Sequence, residues 1–231
     1  HYEINKEWLK ETIEGKTIWY ISMLELKLVA HNMAISIMNE MIKNEDKKNE
    51  NETEEEIKNK SIEEVKQDCE LNASKRMIPR FRKIYPRLPV RIIADSLYPS
   101  MGLIEICEEE NIEYIFVLKD KKIPTLLTEF LALVSLPTGN REIIETKEKI
   151  VLTLWENNID YRGKKINVIR QITKNKETKK YSKWMWITNR EITRKNLYKI
   201  IYCAKLRDYI ENQGFREQKI TCLLYTSPSP R

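Results

Sequence analysis

Asp95 and Glu211 are the carboxylates whose positions could support chemistry. Asp95 closes the apolar run Val90-Arg-Ile-Ile-Ala-Asp95, where a strand should end and a helix begin. In open α/β sheets, ligands and metals collect outside the carboxyl ends of the strands. A carboxylate in that place also serves simply to start the next helix. Glu211 lies in Arg207-Asp-Tyr-Ile-Glu211-Asn-Gln-Gly-Phe-Arg-Glu-Gln-Lys219, with Arg207 and, less well aligned, Lys219 towards its side of a helix. Without chemistry, Arg207 and Glu211 make a surface ion pair worth about 0.3 kcal/mol, in the weaker order for a helix. An Asp at a strand end and a Glu on a distant helix could converge on Mg2+, which takes carboxylates, water and substrate phosphates. Trp184 and Trp186 share one face of a strand, where ordinary aromatic packing explains them.

The elements that must position these residues follow from periodicity. Thr17 to Ala30 reads as a strand, and Met33 to Ile42 as a second strand or a short helix. Residues 44–64 have almost no core-forming side chains and read as a solvated low-complexity insertion. Cys69, Ala73, Met77, Phe81 and Tyr85 recur at helical spacing before Pro86 and Pro89 end the helix. The basic residues between them, Lys75 to Lys83, form a DNA-facing surface or a solvated face. Strand Val90–Asp95, helix Ser100–Glu110, strand Ile112–Leu118 and a helix opened by Pro124 make a parallel βαβ unit with helices packed on the sheet. Residues 137–190 are strand-like, with turn signals at Thr138-Gly139-Asn140 and Tyr161-Arg-Gly163. A last helix is expected from Thr193, as N-cap, to Gln218.

Composition bounds the function. The chain has 231 residues, 41% apolar and 33% charged, the profile of a globular protein with a charge-rich surface. No stretch approaches the roughly 18 uninterrupted apolar residues of a membrane helix, and no signal peptide opens the chain. Cys69, Cys107, Cys203 and Cys222 form no Cys-x-x-Cys pair, which fits free thiols in an intracellular protein rather than a zinc site. His31 has no ligand-spaced neighbour and receives no role. The net charge of +6 includes nine acidic and four basic residues within 44–64, so the remainder carries +11. That surplus fits a polyanionic partner, through counterion release, as well as plain solubility.

Several ordered motifs together resemble one family. Asp68-Cys-Glu-Leu71, Tyr85-Pro-Arg-Leu-Pro89, Ile92-Ile-Ala-Asp-Ser-Leu-Tyr98, Trp186-Ile-Thr-Asn189, Lys195-Asn196 and Ile210-Glu-Asn-Gln-Gly-Phe215 look like bacterial insertion-sequence transposases with an Asp-Asp-Glu triad. The resemblance covers most of residues 17–221. It implies an α/β fold with a ribonuclease-H-like mixed sheet flanked by helices and a β-rich insertion before the last helix. The expected division is a core over 1–136, the insertion over 137–190, and the catalytic helix over 191–221.

By this resemblance Asp95 is the second catalytic aspartate, Glu211 the catalytic glutamate, and both are metal ligands. Arg207 and Lys219 would contact DNA phosphates, and Trp184 and Trp186 would stack on unpaired bases at about 1–3 kcal/mol each. The implied activity is DNA strand cleavage and strand transfer with two Mg2+ ions, or Mn2+ in their place. Partners would be duplex DNA, terminal inverted repeats and target DNA, with a homodimer on DNA, in the bacterial cytoplasm at the nucleoid. A nuclease of the same fold without strand transfer, and an inactive DNA-binding remnant, remain as alternatives. Two departures stand out: no Asp precedes Asp46, so the family's first aspartate has no match, and Ala204 stands where the family often has Tyr. The first implies a truncated N-terminus, whose missing central strand would leave Val90–Asp95 as an unpaired edge and the chain poorly soluble and inactive; the second bears on the detail of the glutamate motif. Cys222 to Arg231 resembles translated adapter sequence and is set aside as non-native.

Overall fold

The computed structural model describes residues 8–13, 16–30, 33–42, 62–119 and 123–210, and the chain divides into two units, one of His1–Leu88 with Asp208–Arg231 and one of Pro89–Arg207. In the first unit, β1 (Trp8–Ile13) pairs antiparallel with β2 (Lys16–Ile21). β3 (Met23–Ala30) pairs antiparallel with β4 (Met33–Met41), with a bulge between Leu26 and Lys27. The single strand expected over Thr17–Ala30 is therefore two strands in two sheets. The break falls at Ser22, whose carbonyl accepts the Ile42 N–H at 2.9 Å while β2 folds back on β1. Helix α1 (Ile62–Ile84) packs on β4 and continues through Pro79. Ala73, Met77 and Phe81 of the expected stripe are buried, joined by Ile78; Tyr85 lies past the helix end and is exposed, and the Cys69 side chain lies outside the described residues. Glu40 on β4 accepts Arg76 Nε at 3.1 Å and Arg80 Nη1 at 3.0 Å, so part of the basic face is spent on holding the helix to the hairpin.

The second unit, Pro89–Arg207, is built on one six-stranded mixed sheet of order β5 (Arg91–Ala94), β6 (Glu113–Val117), β10 (Tyr181–Thr188), β9 (Lys164–Asn175), β8 (Lys149–Tyr161), β7 (Asn140–Glu145). β5 and β6 are parallel and joined through α2 (Met101–Glu109), which is the expected βαβ unit. α3 (Pro124–Ser135) starts on its proline and packs on β8. It is followed by β7, β8, β9 and β10. Arg162 and Gly163 have φ of 53° and 81°, which makes the β8–β9 connection a two-residue hairpin with both central residues left-handed. Gly139 is required for space, because a Cβ there would lie 2.6 Å from the Val134 carbonyl oxygen at the end of α3.

The β-rich stretch does not stand apart from the parallel unit. β10 pairs antiparallel with β6 in the register Trp186↔Val117, Ile187↔Phe116, Thr188↔Ile115, and fuses them into one sheet. That pairing holds residues 89–207 together in one compact unit. Among the described residues β5 pairs on one side only and ends the sheet. Successive residues of a strand face opposite sides, so Tyr114 and Phe116 lie on one face of β6, and Ile115 and Val117 on the other.

The last helix is interrupted at Leu206, and the rest of its expected span, 211–218, lies outside the described residues. α4 runs Leu197–Lys205, and a three-residue turn, α5 (Arg207–Tyr209), follows it. The Leu206 N–H is shared between the carbonyls of Tyr202 (3.2 Å) and Cys203 (3.0 Å), the tightening with which helices end. The N-cap residue is Asn196, not Thr193. Asn196 orders the turn before the helix: its Oδ1 accepts the Thr193 N–H at 2.8 Å and its Nδ2 donates to the Glu191 carbonyl at 2.8 Å. α4 buries Leu197, Ile200, Ile201 and Ala204 against Ile115, Trp155, Ile169 and Trp186 of the sheet. Among the described residues no helix is long and apolar enough to cross a membrane.

Candidate functional site

Asp95 stands one residue beyond the carboxyl end of β5. Its Oδ1 accepts the Leu97 N–H at 2.8 Å, and its carbonyl accepts the Tyr98 N–H at 3.3 Å, so it does shape the turn that leads towards α2. The helix itself is preceded by Ser100 as N-cap residue, so Asp95 does not cap it. The other carboxylate oxygen, Oδ2, faces Arg207 Nη2 at 3.7 Å, and the Asp95 side chain is 43% exposed. A charge-assisted N–H···O bond is about 2.7–2.9 Å long. The Arg207 contact is therefore an ion pair across a gap, with Oδ2 open to further partners.

α4 brings Arg207 to this point, and two sets of bonds position α4. Asn157, at the irregularity in β8, donates Nδ2 to the Ile192 carbonyl (2.8 Å) and accepts the Ile192 N–H on Oδ1 (2.9 Å). Tyr198 at the start of the helix donates its hydroxyl to Glu142 on β7 at 2.7 Å, and Cys203 meets Arg91 on β5 at 3.3 Å. The helix thus spans the sheet from one edge strand to the other. Burial, and then the Glu142 bond, push the Tyr198 hydroxyl up to about 12. Lys205 at the end of α4 donates Nζ to Gln171 on β9 at 2.9 Å.

The two tryptophans stack as their shared face requires, with ring centroids 6.0 Å apart and planes 5° from parallel. Their environments differ. Trp186 is 2% exposed and belongs to the core beneath α4, so it cannot meet a base directly; Trp184 is 40% exposed and forms the open end of the stack. Trp184 pairs with Gln171 across β10–β9, which places Lys205 beside its row. Because Trp186 pairs with Val117, the last residue of β6, Trp184 extends past the carboxyl end of that strand. Asp95, Arg207, Lys205 and Trp184 therefore gather at one end of the sheet, the carboxyl end of the parallel pair. Lys205 was not singled out in the sequence, where its spacing of two from Arg207 gives no sign of convergence, since residues two apart on a helix do not share a face.

Glu211 and Lys219 lie outside the described residues, as do His31 and Cys222 to Arg231. Among the described residues no group of three His, Cys, Asp or Glu side chains comes together to hold a metal. What they offer a divalent ion is one carboxylate, Asp95, which already shares its open oxygen with a guanidinium.

A second constellation sits at the other end of β5. Glu113, opposite Arg91 in the β5–β6 register, accepts Arg91 Nε at 3.0 Å and Arg190 Nη1 at 2.8 Å. Burial is the largest single influence and works against the Arg91 charge, but the bond and charge of Glu113, together with Cys203, outweigh it and its pKa is raised. Beside the clamp is a cavity of about 630 Å³ lined by Arg91, Arg190, Asn196, Lys199, Tyr202 and Cys203, among others. No local pattern marks it beyond one arginine inside an apolar strand. Cys107, by contrast, is fully buried, and burial followed by the neighbouring Glu108 carboxylate pushes its thiol up to about 12.

No family model matches this chain, and no curated protein matches it.

Proposed function

We propose that this protein acts on DNA as a transposase of the insertion-sequence type, cutting strands at an element's ends and joining them to a target. The observation that carries the reading is the convergence of Asp95, Arg207 and Trp184 at the carboxyl end of the parallel strands, although the sequence separates them widely. Arg207 stands four residues ahead of Glu211 in the sequence, as the basic residue of the glutamate motif would. Asp95 and Glu211 would hold Mg2+ or Mn2+, which when bound supplies nucleophile activation and charge stabilisation at the reacting phosphate.

The chain's own residues have separate tasks in this reading. Arg207 orients a DNA phosphate, exchanging its 3.7 Å contact with Asp95 for a shorter one with the phosphate oxygens. Lys205 neutralises a neighbouring phosphate, and the exposed face of Trp184 receives an unpaired base. Trp186 acts beneath it, as the packed support that fixes the indole plane. A ribonuclease-H-like core is the finer fold within the mixed α/β architecture that this function calls for.

Asp95 as a turn-former favours a second reading, an inactive DNA-binding relative, since Oδ1 is committed to Leu97 N–H. One experiment separates the two. The gene's flanks are read for terminal inverted repeats, and the protein encoded between them is assayed for Mg2+-dependent cleavage of duplex DNA carrying those repeats. Asp95→Asn keeps the turn acceptor and loses the charge, so cleavage is expected to vanish while the melting temperature changes by less than the equivalent of about 1 kcal/mol. Absent repeats, or cleavage unchanged in Asp95→Asn, would sink the transposase reading.

A further inference from the structure

We propose that the cavity beside the Arg91–Glu113–Arg190 clamp binds a nucleotide phosphate, with the phosphate on the cations and the base against Tyr202. This site is at the amino end of β5, opposite Asp95, and its existence does not depend on the catalytic reading of Asp95.

The first argument is unspent hydrogen-bonding capacity. Arg91 gives Nε and Nη2 to Glu113, but Nη1 meets only the Cys203 sulfur at 3.3 Å. Sulfur is a weak acceptor, whereas a phosphate oxygen is among the strongest partners of a guanidinium. Arg190 spends Nη1 on the same carboxylate, and its side chain is 55% exposed. A guanidinium carries five N–H donors, so the pair retains donors after Glu113 is satisfied.

The second argument is charge. One arginine suffices to neutralise Glu113, yet two arginines meet it and Lys199 lines the same cavity. The wall therefore keeps a positive surplus in a concave, partly apolar setting where it acts more strongly than on an open surface. The third is shape. A volume of about 630 Å³ lies within the roughly 300–1,000 Å³ of small-ligand sites. Tyr202, 52% exposed on the wall contributed by α4, offers a planar ring for a base. Phosphate plus planar ring is the chemistry of a nucleotide, whether a free mononucleotide or the 5′-phosphorylated end of a DNA strand.

Cys203 lines the cavity and is partly exposed, so it reports occupancy directly. The full chain is alkylated with iodoacetamide, and Cys203 modification is followed by peptide mass spectrometry. Fully buried Cys107 serves as the internal control for folding. The probes are inorganic phosphate, AMP, and a single-stranded oligonucleotide with and without a 5′-phosphate. AMP or the phosphorylated oligonucleotide is expected to slow Cys203 alkylation several-fold while Cys107 stays unreactive. The double variant Arg190→Gln, Lys199→Gln should weaken that protection by about tenfold or more. Protection by AMP alone identifies a free nucleotide, and protection only by the phosphorylated oligonucleotide identifies a DNA end. Protection by phosphate alone still places the anion on the cations. If no probe protects Cys203, or the double variant is protected as well as the parent, the clamp only ties β5 to its neighbours and the proposal falls.

Discussion

Replacing each tryptophan of the β10 stack separately by alanine tests the division of labour that the structure gives them. Trp186 is 2% exposed and packs with Ile115, Trp155, Ile169, Leu197 and Ile200. Removing a buried ring costs about 3–5 kcal/mol through lost transfer energy and the cavity left behind. The melting temperature of Trp186→Ala should fall on the order of 10 °C. Trp184 is 40% exposed and rests on Trp186 with centroids 6.0 Å apart, so Trp184→Ala forfeits chiefly one aromatic pair. That is worth about 0.5–1.5 kcal/mol. Its effect on DNA is expected to be larger than its effect on stability. Losing one base stack costs about 1–3 kcal/mol, a fall in affinity of roughly 5- to 150-fold. Calorimetry and fluorescence anisotropy on an oligonucleotide with unpaired bases give the two numbers independently. Trp184→Phe keeps a ring face and should recover most of the binding. If Trp184→Ala binds such DNA like the parent, the exposed indole is packing and nothing more. If Trp186→Ala melts like the parent, the assignment of Trp186 to the core is wrong.

Asn157→Ala removes both bonds to the Ile192 backbone and leaves a half-buried N–H and carbonyl unpaired. A loss of about 2–4 kcal/mol is expected, and denaturant unfolding measures it; a change below a few tenths would mean that α4 is held by its apolar face alone. Raising the pH should destabilise the fold. Burial and the neighbouring Glu108 lift the Cys107 thiol from its ordinary 9.0 to about 12, burial and Glu142 lift Tyr198 from 10.0 to about 12, and burial lifts Tyr114 as well. The folded state holds these protons more tightly, so the stability they reflect is complete below pH 9 and is lost as the pH rises towards 12. A denaturation midpoint that is flat from pH 8 to pH 11 would contradict that coupling.

The parts of the fold that were legible are those whose signal is local. Val90–Asp95 and Ile112–Leu118 are short apolar runs bounded by turn residues, Pro124 opens α3, and Arg162-Gly163 supplies two left-handed residues for the β8–β9 turn. What stayed hidden depends on partners. Thr17 to Ala30 is uninterrupted in composition, yet β2 pairs upstream with β1 and β3 pairs downstream with β4, and nothing in the run itself marks where the partner changes. The helical pattern after Thr193 runs without a break in the sequence, yet the Leu206 N–H is shared between two carbonyls and interrupts the helix before Arg207, and periodicity does not show that interruption.

Site legibility divides in the same way. Residue type and strand position mark Asp95, but they do not decide what it does. Its Oδ1 is fixed by the Leu97 N–H, while Oδ2 faces Arg207 at 3.7 Å on a side chain that is 43% exposed, so a turn-forming Asp and a ligand share this geometry and only chemistry separates them. Trp184 and Lys205 come to the same end of the sheet only because β10 pairs with β6 in the register that sets Trp186 opposite Val117. A slip of one residue would turn Trp184 to the opposite face and carry it away from Lys205. The register of one antiparallel pair, which no local motif encodes, therefore assembles the candidate site.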